Sequence, residues 1–211
     1  MITKLDIVNH MLRTTGIQKV NTLETQDEDV VQTESALDSS NVDFQSKGWW
    51  FNKEYNLALV QNNSGEIILP QGYLEVIVSA TSLQTMTPLN KSRYAPRGNK
   101  LYDSVAHSFN IGQTLYVDIV TQVAIEDMPA VASTYLKHLA AFDFFVDDEG
   151  DHIKAKELEK RMSKAWGFLQ AAQLKAIATN ALDSPFAAQL NHRIRQSGTA
   201  TNPNWPGGRV V

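Results

Sequence analysis

The apolar positions of this chain repeat with a helical period at first, switch to a period of two near residue 49, and return to the helical period after residue 129. Over residues 4–15, Leu5, Val8, Leu12 and Thr15 share one face, with Met11 beside them. Gly16 follows as a stop, so this stretch predicts a short amphipathic helix. Residues 17–26 predict a loop with Val20 and Leu23 tucked in. A second helix is expected from Asp27 to Lys47, its acidic first turn (Asp27, Glu28, Asp29) complementing the helix dipole. Val30, Thr33, Leu37 and Phe44 form its inward stripe. Gln32, Ser35, Ser39, Asp43 and Ser46 face away, a polar but weakly charged surface that suits either solvent or a neighbouring subunit.

Gly48 suits the left-handed conformation that closes a helix. Trp49, Trp50 and Phe51 follow at once, and residues 49–60 predict a strand or a bent pair of strands. Strand alternation then places Trp49 and Phe51 on one face and Trp50 on the other, which makes Trp49 and Trp50 interface candidates. Asn62-Asn63-Ser64-Gly65 reads as a turn, residues 66–69 as a short strand closed by Pro70, and residues 74–80 as a β-rich segment. Residues 84–96 predict an exposed excursion, and residues 97–102 a hairpin around Gly98-Asn99. In residues 115–125, Leu115, Val117, Ile119, Thr121 and Val123 share one face. Tyr116, Asp118, Val120 and Gln122 share the other, which is apolar enough to call for a second layer or a partner.

Helix is expected again from Pro129, capped by Asp127, with Val131, Tyr135, Leu139, Phe142 and Val146 as the core stripe and Leu136 and Phe145 beside it. The acidic run from Asp147 to Asp151 breaks it. A last helix turns Ile153, Leu158, Met162, Ala165, Trp166, Leu169 and Ala172 inward and extends to about residue 181. The expected class is α+β: an antiparallel helical bundle built from residues 1–48 and 128–181, with an antiparallel β region inserted over 49–127. Residues 182–211 form an extended C-terminal arm.

The arm differs in composition. Pro185, Pro203, Pro206, Gly198, Gly207 and Gly208 punctuate it, and it carries Arg193, Arg195 and Arg209 against the single acid Asp183, on a chain of net charge −4. A basic, broken segment on an acidic body reads as an arm that finds structure on a partner, and Phe186, Leu190, Ile194 and Trp205 give it apolar anchors. The alternative is a tail with no docking surface. The absence of cysteine excludes disulfides, thiolate catalysis and cysteine-ligated zinc. The first residues hold no apolar core of signal-peptide length, and no apolar run reaches the length of a membrane span, so a soluble protein is expected.

Chemistry-bearing patterns are sparse. His10, His107, His138, His152 and His192 are scattered, with no pair at the helical ligand spacing, and the 147–151 run lacks the alternating ligands and closing Glu of a calcium loop. Glu126 and Asp127 are adjacent and diverge on a strand end. No nucleophile elbow, phosphate loop or dinucleotide glycine pattern is present. No catalytic residue, metal or cofactor is therefore assigned. Lys91, Arg93, Arg97 and Lys100, interleaved with Tyr94 and Tyr102, form the most basic patch of the body. It suits an acidic protein partner, a solvated loop or, less well on a chain of net charge −4, DNA phosphate.

An ordered series of segments carries a family resemblance: Ile7-Val8-Asn9-His10-Met11-Leu12-Arg13-Thr14-Thr15-Gly16, Val20-Asn21-Thr22-Leu23-Glu24, and Lys47-Gly48-Trp49-Trp50-Phe51-Asn52. After them come Ile67-Ile68-Leu69-Pro70, Arg97-Gly98-Asn99-Lys100-Leu101-Tyr102-Asp103 and Glu126-Asp127-Met128-Pro129. Over roughly residues 4–146 this order resembles the tail tubular protein A family of short-tailed bacteriophages. The resemblance implies a non-enzymatic virion protein, assembled in the host cytoplasm, that forms a dodecameric ring between the portal protein and the tail tubular protein B nozzle. Tail fibres would attach near that junction, and viral DNA would pass through the lumen without specific binding. The helices would form the ring body, and the β region would meet the nozzle or fibres. The competing expectation is a tail-associated enzyme that degrades polysaccharide, which needs two converging carboxylates.

Overall fold

Thr3 opens the first helix by accepting the Asp6 backbone N–H, while the Asp6 carboxylate accepts the Thr3 N–H at 2.9 Å, a reciprocal cap. This helix, α1 (Lys4–Thr15), ends on Gly16 at φ 85°. A computed structural model of the chain describes residues 1–24, 27–79, 93–148 and 151–182. Within α1 the buried face is Ile7, Val8, Met11, Leu12 and Thr14. Leu5 and Thr15, expected inward, are only half-buried. Helix α2 (Glu28–Gln45) is capped by Asp27 and buries Val30, Thr33, Leu37 and Phe44 as expected, together with Asn41 and Gln45.

Gly48 closes α2 at φ 69°, and a Cβ there would come within 3.1 Å of Val120. Trp49, Trp50 and Phe51 then form a turn and not a strand. The Asn52 side chain accepts the Trp49 N–H and the Asn52 N–H returns to the Trp49 carbonyl, which folds the backbone before extended structure begins. Strand alternation therefore does not apply: Trp49 enters the helical core, and Trp50 and Phe51 both pack half-buried against it.

Strand β1 (Lys53–Leu59), β2 (Tyr73–Val78) and β5 (Leu115–Thr121) make an antiparallel sheet in the order β1-β5-β2. A bulge between Glu54 and Leu57 centres on Asn56 at φ 56°, whose N–H is held by the Asp118 carboxylate. Strands β3 (Tyr94–Arg97) and β4 (Lys100–Asp103) form the expected hairpin over Gly98. Residues 94–96 thus belong to a strand, while residues 84–92 of the expected excursion lie outside the described residues. Residues 66–69 make single bridges, Glu66 to Asn110 and Ile68 to Lys100, where a strand was expected. Leu59, Ile67, Leu69, Val78, Tyr94, Leu101, Leu115, Val117 and Ile119 form the core of this region. On the other face of β5, Val120 is covered by the chain itself, at Gly48.

A single 3-10 turn, Ile125–Asp127, precedes α3 (Ala130–Asp148). Asp127 lies inside that turn and is not the cap; the Pro129 carbonyl receives the first helical N–H groups, from Ala132 and Ser133. The buried residues of α3 are Ala132, Ser133, Tyr135, Leu136, Ala140, Ala141, Phe144 and Phe145. Val131, Leu139 and Phe142 sit at the margin, and Val146 is exposed. Helix α3 packs on both α1 and α2, and Ala132, Ala140 and Ala141 are among its buried residues. Helix α4 (His152–Leu182) follows the expected break and buries Leu158, Ala165 and Leu169, but Ile153 in its first turn is 84% exposed. The class is α+β, as expected. The chain divides into two compact units, Met1–Gln170 and Ala171–Val211. In the second, the described residues are the end of α4, where Leu174 and Ile177 are exposed. The arm beyond residue 182 lies outside the described residues.

Candidate assembly surfaces

Two side chains fasten the helices to the sheet. Gln45 sits on the inward face of α2 and donates from Nε2 to Asn41 Oδ1 at 2.8 Å and to the Val123 carbonyl at 2.9 Å. Its Oε1 accepts the Val123 N–H at 2.8 Å, so one amide reads both backbone groups of a residue two positions past β5. Asn52 donates to the Gln45 carbonyl at 2.9 Å, accepts the Trp49 N–H at 2.7 Å, and its carbonyl receives the Thr121 N–H at 2.9 Å. Both side chains are buried. A satisfied buried polar network of this kind fixes one geometry, because every alternative leaves a polar group unpaired. At the other end of the junction Glu126 accepts the Lys4 N–H, so this carboxylate is used in the fold and not aimed beside Asp127.

Trp49 locks the same junction from the core side. Its ring lies 5.2 Å from Phe44 and 5.6 Å from Trp166 of α4, and its Nε1 donates to the Phe44 carbonyl at 2.8 Å. The sequence reading missed Gln45 and Asn52. The signal was present in α2, where Asn41 and Gln45 continue the Leu37 row at four-residue steps on an otherwise apolar stripe.

The basic patch is partly spent inside the hairpin. Arg93 donates to both oxygens of Asp103, the closest contact at 2.7 Å, and Asp103 also accepts the N–H groups of Val105 and Ala106. The Arg93 hydrogen bonds hold the Asp103 carboxyl below its usual range. Lys100 pairs with Glu66 at 2.8 Å, tying the hairpin to the bridging segment. Arg97 is exposed and stacks over Tyr102, 3.6 Å from the ring centroid. Lys91, Phe186, Arg193, Arg195, Trp205 and Arg209 lie outside the described residues.

A second unforeseen cluster lies where α1, α3 and α4 meet. The rings of His10 and His138 stand edge to face, 5.6 Å apart. Arg13 donates to His10 Nδ1 at 3.2 Å, which leaves the imidazole proton on Nε2; that nitrogen is buried and has no partner among the described residues. Burial, and then the charges of Lys137, His138, Arg13 and Arg161, push His10 down from 6.5 to about 4. Unfolding frees it to take up a proton that the folded protein refuses. Its contribution is therefore intact above pH 6.5 and is lost as pH falls toward 4. Stability is expected to drop between about pH 7 and about pH 5, and His10→Gln is expected to flatten that slope. Urea unfolding midpoints of both proteins at the two pH values check it; equal slopes would contradict it.

Among the described residues, no group of three His, Cys, Asp or Glu could hold a metal ion, and no helix is long and apolar enough to cross a membrane. Two helix faces carry exposed apolar residues. The outer side of α2 bears Val31 and Val42, 53% and 39% exposed, and Val31 edges a shallow groove with Glu28, Gln32, Ser35 and Ser39. The outer side of α4 bears exposed Ile153 and Phe168.

A profile of the tail tubular protein family matches residues 5–183, and the chain belongs to that family. It is thus a structural protein of the bacteriophage tail, resident in the virion and associated with other tail components. No curated protein matches the chain.

Proposed function

We propose that this chain is the head-to-tail adaptor of its virion: a closed, dodecameric ring seated on the portal, receiving the tail tubular protein B nozzle on its other face and leaving a lumen for the genome. The family match over residues 5–183 carries this reading, and the ordered segments from residue 4 to 146 narrow it to the adaptor branch. In this reading residues 1–48 and 128–181 form the ring body. The inserted region, 49–127, meets the nozzle or the tail fibres through Arg97 and the hairpin around it. Residues 182–211 reach the portal through Phe186, Arg193, Arg195, Trp205 and Arg209. Assembly takes place in the host cytoplasm, and no catalytic step is assigned. The acidic character of the chain, net −4, keeps DNA moving past the wall and not bound to it.

The test is the mass of the purified chain by light scattering, alone and mixed with its cognate portal. A ring-sized species in either sample is the expected result. A chain that stays monomeric and leaves the portal's mass unchanged would contradict the reading.

A further inference from the structure

The helical body separates its charges between two helices. Helix α2 holds Glu28, Asp29, Glu34, Asp38 and Asp43 and has no lysine or arginine. The first part of α4, residues 152–170, holds Lys154, Lys156, Lys160, Arg161 and Lys164 against Glu157 and Glu159. Glu157 is itself paired with Arg161. Lys4 of α1 reaches α2, at 2.7 Å from Glu34 and 2.9 Å from Asp38. Arg13 comes nine residues later, half a revolution around the same helix. It lines a cavity of about 280 Å³ with Leu158 and Arg161 of α4. Opposite faces of α1 thus supply the contacts to the acidic helix and to the basic one.

Each bears an outward stripe of matching design. On α2, Val31 and Val42 stand at the two ends, with Ser35 and Ser39 between them and Glu28 and Asp43 at the margins, all exposed. On α4, Ile153 and Phe168 stand at the two ends, 84% and 60% exposed, with Lys156, Lys160 and Lys164 exposed between them. At the helical rise the apolar ends are about 16 Å apart on α2 and about 22 Å apart on α4, within about one or two turns of each other. Phe168 also edges a groove of about 260 Å³ with Ala130, Val131, Thr134 and Ala165, an apolar foothold beside the cations.

We propose that the acidic outer stripe of α2 in one copy of this chain seats on the basic outer stripe of α4 in the next. The contact is head-to-tail: two different patches of the body meet, as a closing ring requires. Like-sign contacts, α2 on α2 or α4 on α4, are repelled, so charge fixes the direction of assembly. The inference rests on the ring reading and adds which faces mate.

Charge exchange tests it. One variant carries Lys160→Glu and Lys164→Glu; a second carries Glu28→Lys and Asp43→Lys; a third carries all four changes. Assembly is read by sedimentation, with and without the portal, beside the unaltered chain. Each two-site variant alone is expected to assemble more than about tenfold less well. An equimolar mixture of the two is expected to recover the ring, because every contact in an alternating even-membered ring is again between opposite charges. The third variant is expected to recover it also. A recovery shows that the altered chains still fold. If the unaltered chain assembles and either two-site variant assembles equally well, or the mixture and the third variant both fail, the face assignment is overturned while the ring reading stands. If reversal on α4 blocks the portal but leaves self-association intact, α4 meets the portal and the assignment is likewise overturned. An unaltered chain that never assembles overturns the ring reading itself.

Discussion

Trp49→Ala is expected to destabilise the folded chain by about 3–5 kcal/mol, the usual cost of emptying a large buried aromatic site. Trp49 is 7% exposed and lies between Phe44 and Trp166, so its removal opens a cavity between α2 and α4. It also strips the Phe44 carbonyl of the indole N–H. In a chain of this size a loss of 1 kcal/mol lowers the melting temperature by roughly 2–4 °C, so a drop of roughly 10 °C is expected. Trp49→Phe keeps most of the ring volume and loses the hydrogen bond, and its loss should be clearly smaller. Thermal melts of both variants decide the matter; a Trp49→Ala protein that melts within about 2 °C of the unaltered chain would show that the ring does not hold this junction.

Asn52→Leu is expected to cost about 1–3 kcal/mol through a different cause. The leucine is of similar size, so packing is broadly kept. The Trp49 N–H, served by the Asn52 side chain, is then left buried and unpaired, while the Gln45 carbonyl keeps only the Gly48 N–H. A buried donor left unpaired costs about 1–3 kcal/mol. Asn52→Asp keeps the acceptor for Trp49 and loses the donor for Gln45, so it should fall between the two. Urea unfolding measures the series, and a Leu variant as stable as the Asp variant would contradict the role given to the donor and acceptor pair. The loss should also loosen the link between the helices and the sheet, since Asn52 holds the backbone carbonyl of Gln45, whose side-chain amide holds Val123.

The helices could be read from the sequence because their signals are local. Gly16, the acidic start of α2 and the 147–151 break each act within one turn of the boundary they set. The hairpin over Gly98 was legible for the same reason. What escaped depends on partners distant in the chain. The Trp49–Asn52 segment has strand-forming residues, yet two side-chain hydrogen bonds from Asn52 turn it, and one of them reaches back to α2. The inward arc of α3 was legible at Tyr135, Leu136 and Phe145 but favoured large residues, so it missed the buried Ala132, Ala140 and Ala141. Arg93 and Lys100 read as free cations because their partners, Asp103 and Glu66, are ten and thirty-four residues away. The two helix faces were half visible: the polar face of α2 suited either solvent or a neighbour, and Ile153 was assigned inward, which hid the stripe on α4.

The most direct measurement is an electron cryomicroscopy reconstruction of the intact virion at its tail vertex. If the chain is the adaptor, its helical body appears as a closed ring of copies between the portal and the nozzle, with a continuous channel for DNA. Density for the chain elsewhere in the tail, or a portal joined to the nozzle with no copy of it between them, would contradict that placement.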